Sequence, residues 1–159
     1  MRAPNQIESP ALSPDGNKVA VSAAVKGTYD IWIHDAARGT KTRLTSNPGR
    51  DGGAAWSPDG AHIVFYTPRQ GNQDLYIMKT DKSTPSWPLV IEPHHQVAPS
   101  WSSDGKYILY YQSELAPQNR DLWYVSPADS TPYRMPQTPF DESNPHLSPD
   151  GHYVAVPVE

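Results

Sequence analysis

Apolar residues along the chain gather in short runs of three or four, separated by polar segments rich in glycine and proline. One set is Val19-Ala20-Val21, Ile63-Val64-Phe65-Tyr66, Ile108-Leu109-Tyr110-Tyr111 and Val154-Ala155-Val156. A second set opens on an aspartate: Asp30-Ile31-Trp32-Ile33, Asp74-Leu75-Tyr76-Ile77 and Asp121-Leu122-Trp123-Tyr124. A third, weaker set is Arg43-Leu44-Thr45, Pro88-Leu89-Val90-Ile91 and Tyr133-Arg134-Met135. Each run has the length and residue types of a β-strand. The first two sets are continuously apolar rather than alternating, as expected of strands covered on both faces.

A tetrapeptide punctuates these runs. Ser13-Pro14-Asp15-Gly16, Ser57-Pro58-Asp59-Gly60, Ser102-Ser103-Asp104-Gly105 and Ser148-Pro149-Asp150-Gly151 recur at spacings of 44, 45 and 46 residues. Each follows a large apolar residue (Leu12, Trp56, Trp101, Leu147) and precedes a run of the first set. Proline pre-sets φ at the first central position of a turn, aspartate tolerates the second, and glycine takes the positive φ that follows. The element is therefore a tight hairpin turn between a strand A and a strand B. The aspartates that open strand C stand 17, 17 and 19 residues after their serines, and strand D closes each unit. Four short strands in about 40–45 residues make one propeller blade. The predicted architecture is all-β, with blades of four antiparallel strands at residues 9–46, 53–92 and 98–137 and a partial blade at 144–159.

Trp-Ser-Pro-Asp-Gly at Trp56 to Gly60, then a β-run, then Gly71-Asn72-Gln73-Asp74-Leu75-Tyr76-Ile77-Met78, resembles the TolB-type (WD-like) propeller repeat. The resemblance covers essentially the whole chain and departs from the pattern at Ser103 and in the connection Gln112 to Arg120. It implies blades of a bacterial propeller, usually six-bladed. Such propellers stand alone, precede prolyl-oligopeptidase-type hydrolases, or are fused to sensors and kinases.

Composition narrows the picture. Eighteen of 159 residues are proline, and the longest proline-free stretch, Asp15 to Asn47, is broken by Gly16, Gly27 and Gly39, so helical bundles are excluded. Only 36% of residues are hydrophobic, but five Trp, nine Tyr and two Phe can line a core. Thirteen basic residues are scattered against 17 acidic ones for a net charge of −4, which argues against a nucleic-acid partner. No apolar stretch is long enough to insert in a membrane, and no leader pattern follows Met1. Without cysteine, the compartment stays open: periplasmic if a signal was removed, otherwise cytoplasmic.

Three full blades and the A and B strands of a fourth are too few to close a ring. Either the chain is a piece of a larger six-bladed propeller, or copies associate. Homo-oligomerisation, with a dimer favoured, is the expected outcome, because a free edge at Tyr153 to Val156 invites pairing.

For chemistry, no Gly-x-Ser-x-Gly elbow is present, and serines and aspartates repeated in every blade (Asp15, Gly16, Asp59, Gly60, Asp104, Gly105, Asp150, Gly151) serve turns. Asp30, Asp74 and Asp121 are expected to accept hydrogen bonds from neighbouring loops. Adjacent His94 and His95 point to opposite faces of an extended segment, with no third ligand at regular spacing and no cysteine, so no metal is assigned; with no phosphate-cradling loop either, no cofactor or catalytic residue is assigned. What remains is loop recognition. The B–C connections (Val25 to Tyr29, Pro68 to Gln73, Leu115 to Arg120) and D–A connections (Asn47 to Gly52, Pro93 to Ala98, Thr138 to Ser143) share one face. Its candidate contact residues are Arg50, Arg69, Gln70, His95, Arg120, Phe140 and Asp141. The expected function is a non-enzymatic scaffold binding a protein or peptide there. The alternatives are an accessory propeller of a hydrolase or sensor protein, and a self-assembling fragment without a ligand.

Overall fold

The structure, a computed structural model, describes residues 7–25, 27–113, 120–136, 145–148, 150 and 153–155. Within them the chain forms three four-stranded antiparallel sheets and a two-stranded fourth, and no ring is closed. The first blade holds β1 (Ile7–Leu12), β2 (Lys18–Val25), β3 (Thr28–Asp35) and β4 (Thr40–Arg43). The second holds β5 (Gly52–Trp56), β6 (His62–Thr67), β7 (Asp74–Lys79) and β8 (Trp87–Val90). The third holds β9 (His95–Trp101), β10 (Ile108–Ser113), β11 (Arg120–Val125) and β12 (Pro132–Arg134), and β13 (His146–Leu147) pairs with β14 (Val154–Ala155).

The repeated tetrapeptide is a hydrogen-bonded turn whose centre is the serine. Gly16 N–H donates to the Ser13 carbonyl at 2.9 Å, and the glycines of the first three repeats take φ of 72°, 70° and 76°. Ser13 Oγ donates to Asp15 Oδ1 at 2.6 Å and accepts the Lys18 N–H at 2.9 Å. Ser57 and Ser102 repeat both bonds, and Ser103 in place of proline leaves them intact. The serine and backbone donors hold Asp15 down to a pKa of about 2 and lower Asp59 and Asp104 likewise. Gly151 of the fourth repeat lies outside the described residues.

Two sequence expectations shift. The Val25 to Tyr29 connection is not a long loop: β2 and β3 run eight residues each and pair as far as Val25↔Thr28, leaving a tight turn through Gly27. Strand D of the first blade ends at Arg43 rather than Thr45, because the Leu44 and Thr45 N–H groups both donate to the Ile31 carbonyl while Thr45 Oγ1 accepts the Ile31 N–H. That local knot turns the chain toward the next blade.

The blades pack through two apolar layers. Ala20, Ile31, Ile33 and Leu44 of the first blade meet Ile63, Phe65, Tyr76 and Met78 of the second. Val64, Leu75, Ile77, Leu89 and Val90 of the second meet Ile108, Tyr110 and Val125 of the third. Strand β6 thus sends Ile63 and Phe65 one way and Val64 the other, which accounts for its unbroken apolar run. The A strands form the inner wall, where each pairs with a single strand, B. Each carries an irregularity opposite its B strand, with Ser9 and Gly53 at positive φ (49° and 61°). Pro10 and Pro99 sit at these bulges, where an unpaired edge tolerates a residue without an N–H. No helix of the described residues is long and apolar enough to cross a membrane.

Candidate functional site

Consecutive blades are joined at the loop face by a repeated backbone link. Asp51 N–H donates to the Tyr29 carbonyl at 2.9 Å, and Gln96 N–H donates to the Gln73 carbonyl at 2.7 Å. Each link ties the entry to a new blade to the residue just before the strand-C aspartate of the preceding blade; Gln96 already lies in β9, so the expected connection Pro93 to Ala98 is strand from His95 onward.

At the first junction the surrounding side chains are charged. Asp51 is fully buried, with Arg69 Nη2 at 3.9 Å from its Oδ2. Burial pushes the Asp51 carboxyl up, while the Thr67 and Thr45 hydroxyls and the Arg69 guanidinium pull it back. Arg69 donates from Nη1 to Ser86 Oγ at 2.6 Å and lies 4.8 Å above the Tyr76 ring. It lies over the strand-C aromatic Tyr76 as the strand-D Arg134 lies over Trp123, but it pairs with Asp51 and not with the strand-C aspartate. Arg43 pairs with the buried Asp30 at 2.6 Å, and Arg134 pairs with Asp121 at 2.5 Å and lies over Trp123. In the second blade Pro88 takes the register position of those arginines, opposite Tyr76. Arg50 lies 4.4 Å over the Tyr29 ring and pairs with Glu8.

The second junction is stitched by neutral groups. Asn72 Nδ2 donates to the Pro93 carbonyl at 2.9 Å, and Gln73 N–H donates to His95 Nδ1 at 3.1 Å. Gln96 is buried and its Nε2 donates to the His94 carbonyl. Asp74 has no arginine. It is 1% exposed, and neither carboxylate oxygen has a hydrogen-bond partner of normal geometry. Burial raises its pKa, against the pull of the Glu92 N–H and the His95 ring.

Above this second junction lies a cavity of about 620 Å³, lined by Ser9, Gly53, Tyr66, Pro68, Gln73, His95, Val97, Tyr111 and Ser113. All three full blades contribute, and the pocket opens at the mouth of the inner wall. Tyr66 and Tyr111 hold equivalent positions, nine residues after their repeat serines. Tyr66 lies flat on Gly52 and Gly53: a Cβ at Gly53 would come within 2.7 Å of the Tyr66 ring, and one at Gly52 within 2.5 Å of its hydroxyl. Two glycines thus keep that ring seated and the cavity open.

Of the residues expected to make contacts, His95 lines this cavity. Arg120 is the first residue of β11, 5.7 Å from the Tyr111 ring that lines it. Gln70 is exposed and donates to Tyr76 Oη at 3.0 Å, away from the cavity. Phe140 and Asp141 lie outside the described residues. Tyr66, Tyr111 and Gln73 were not singled out by sequence, because the tyrosines end strand-B runs that read as core. Their recurrence at one offset from the turn is the signal that marks them. Among the described residues no three histidine, aspartate or glutamate side chains converge as a metal site.

The comparisons with known proteins agree with this architecture. Over 72 residues, 45% of the chain, it is 39% identical to the Tol-Pal system protein TolB of Alcanivorax borkumensis, and that match spans 17% of the relative. A solved protein of Agrobacterium tumefaciens assigned as TolB superposes with a TM-score of 0.84 at 27% identity, over 96% of this chain and 55% of that one. TolB of Acinetobacter baumannii superposes with a TM-score of 0.78 at 25% identity, over 92% of this chain and 36% of that one. A prolyl endopeptidase is similar in fold alone, with a TM-score of 0.70 at 14% identity. The chain therefore spans about half or less of these relatives. The family model of the TolB beta propeller domain matches residues 2–157, and the chain belongs to that family.

Proposed function

We propose that the chain is a non-enzymatic TolB-type propeller scaffold that binds a protein or peptide in an extended conformation at the loop-face mouth. The observation that carries this reading is the cavity of about 620 Å³ lined by the aromatic side chains of Tyr66 and Tyr111 and by the polar residues Gln73, His95 and Ser113. Tyrosines offer a peptide broad apolar contact at low conformational-entropy cost, and the polar residues supply hydrogen bonds that fix its register. A relative bearing the name of the Tol-Pal system, a protein assembly, supports a protein partner over a small metabolite. The experiment is selection of binders from a phage-displayed random-peptide library. Tyr66→Ala and Tyr111→Ala are expected to weaken the selected peptides about tenfold or more, while Tyr133→Ala on blade three's outer strand leaves them unchanged. Equal affinity for all three variants contradicts the reading.

Self-association belongs to the same proposal. The two-stranded sheet β13–β14 and a cleft of about 440 Å³ beside it, with Leu109, Tyr124, Met135, Leu147 and Val154 among its lining, form a surface on which a second copy can pack. Two copies with three full blades each give the six blades implied by the resemblance. Light scattering is expected to give twice the chain mass of 17.6 kDa, and a monomer contradicts it.

A further inference from the structure

We propose that His95 is a pH-sensitive latch on the cavity wall: unprotonated it accepts the Gln73 N–H, beside the Asn72–Pro93 and Gln96–Gln73 bonds that also hold the second blade's B–C connection to the third blade, and on protonation it gives up its bond, loosens that connection and weakens binding there. The inference rests on the reading of the mouth as the binding site. His95 Nδ1 accepts the Gln73 N–H, and only an imidazole that lacks a proton on that nitrogen can do so. Both residues line the cavity, so the hydrogen bond forms part of its wall. A second proton on the ring turns the accepting Nδ1 into a donor facing a donor, so the bond to Gln73 is lost on protonation.

The protonated ring has a place to go. Asp74 follows Gln73 directly and is buried without the arginine that Asp30 and Asp121 have, and neither of its carboxylate oxygens has a hydrogen-bond partner of normal geometry. An imidazolium turning toward Asp74 exchanges a neutral bond for a charge-assisted one. The other groups around His95 are few. Glu92 and His94 lie on its own connection, and the Tyr66 and Tyr111 hydroxyl groups belong to the cavity's two tyrosines. Ser113 is its cross-strand neighbour, with Arg120 one strand beyond. The first junction shows the contrast. Its register equivalent of His95 is Arg50, permanently charged, stacked on Tyr29 and paired with Glu8, so that junction has no such latch.

The test is amide hydrogen exchange on the ¹⁵N-labelled full chain between pH 7.5 and 5.5, corrected for intrinsic exchange. Protection of the Gln73 amide is expected to fall about tenfold on acidification, the order of one lost hydrogen bond, while the Asp51 amide is unchanged. His95→Asn, whose Oδ1 accepts where Nδ1 did at any pH, is expected to hold Gln73 protection constant. Protection at Gln73 that ignores pH in the unmodified chain, or that falls equally in His95→Asn, overturns the latch. No ligand is needed, so this result stands whether or not the mouth binds peptide. For a selected peptide, affinity is expected to fall about tenfold at pH 5.5 in the parent and not in His95→Asn. A latch that opens without changing affinity overturns the regulatory step.

Discussion

The junction between the first and second blades and the junction between the second and third use the same backbone link with opposite side-chain chemistry. In the first, Asp51, Arg69, Asp30, Arg43, Arg50 and Glu8 form a set of opposed charges around the Asp51 to Tyr29 bond. In the second, Gln96, His95 and Asn72 surround the equivalent bond from Gln96 to Gln73, and the buried Asp74 is left without a guanidinium. The repeat specifies where the chain crosses from blade to blade, and the side chains added there decide whether charge pairs or hydrogen bonds to amide and imidazole groups surround the crossing. The cavity lies at the second kind.

The comparison can be broken most forcefully through the packed layers and the charged junction. Phe65→Ala, at a fully buried ring between the first two blades, is expected to lower stability by about 3–5 kcal/mol in denaturant titration. Arg69→Ala strands the buried Asp51 carboxylate and is expected to lower it by about 3 kcal/mol. Gln96→Ala, at the second junction's equivalent of Asp51, removes one side-chain bond between uncharged groups, with an expected loss of about 1 kcal/mol. If the last two losses are equal, the distinction between charged and neutral junctions is without energetic content.

Smaller effects sharpen the picture at the cavity and in the turns. Gly53→Ala adds a Cβ at positive φ and against Tyr66, so about 1 kcal/mol of stability and much of the peptide affinity should be lost together. The pH profile separates the two classes of aspartate. Asp74 has a folded pKa raised above its unfolded value. Its stabilising effect is complete below the unfolded pKa and lost as pH rises through the folded one, and Asp74→Asn should therefore flatten the stability profile above about pH 4. Asp15 has the opposite sign: its contribution is present above the unfolded value and disappears as pH falls toward about 2. A melting-temperature series across pH on the two asparagine variants distinguishes them.

Much of the fold was legible in the sequence because turns write themselves locally. Ser-x-Asp-Gly needs one glycine at positive φ and one carboxylate beside a serine, and both appear as letters in fixed order. Strands β6 and β7, covered on both faces, were equally visible as apolar runs. The site was less legible, since it depends on which neighbouring blade a side chain meets. Arg69 reads as a loop cation, yet it lies over Tyr76 and beside the buried Asp51, a placement that depends on strand C of its own blade and on the connection that leads into it. Tyr66 and Tyr111 read as core because they end apolar runs, and only the glycines of β5 and the bulges of the A strands leave them a cavity to line. His95 was singled out as a loop residue, but its bond to the Gln73 backbone crosses between blades and has no local signature.

Binding at the loop-face mouth is tested by amide chemical-shift mapping of the labelled chain during titration with a selected peptide. Perturbations are expected to concentrate at Tyr66, Gln73, His95, Val97 and Tyr111, with the turns at Ser13, Ser57 and Ser102 on the opposite face unmoved. Perturbations centred on those turns or on the outer strands β4, β8 and β12, with the mouth unmoved, would contradict it.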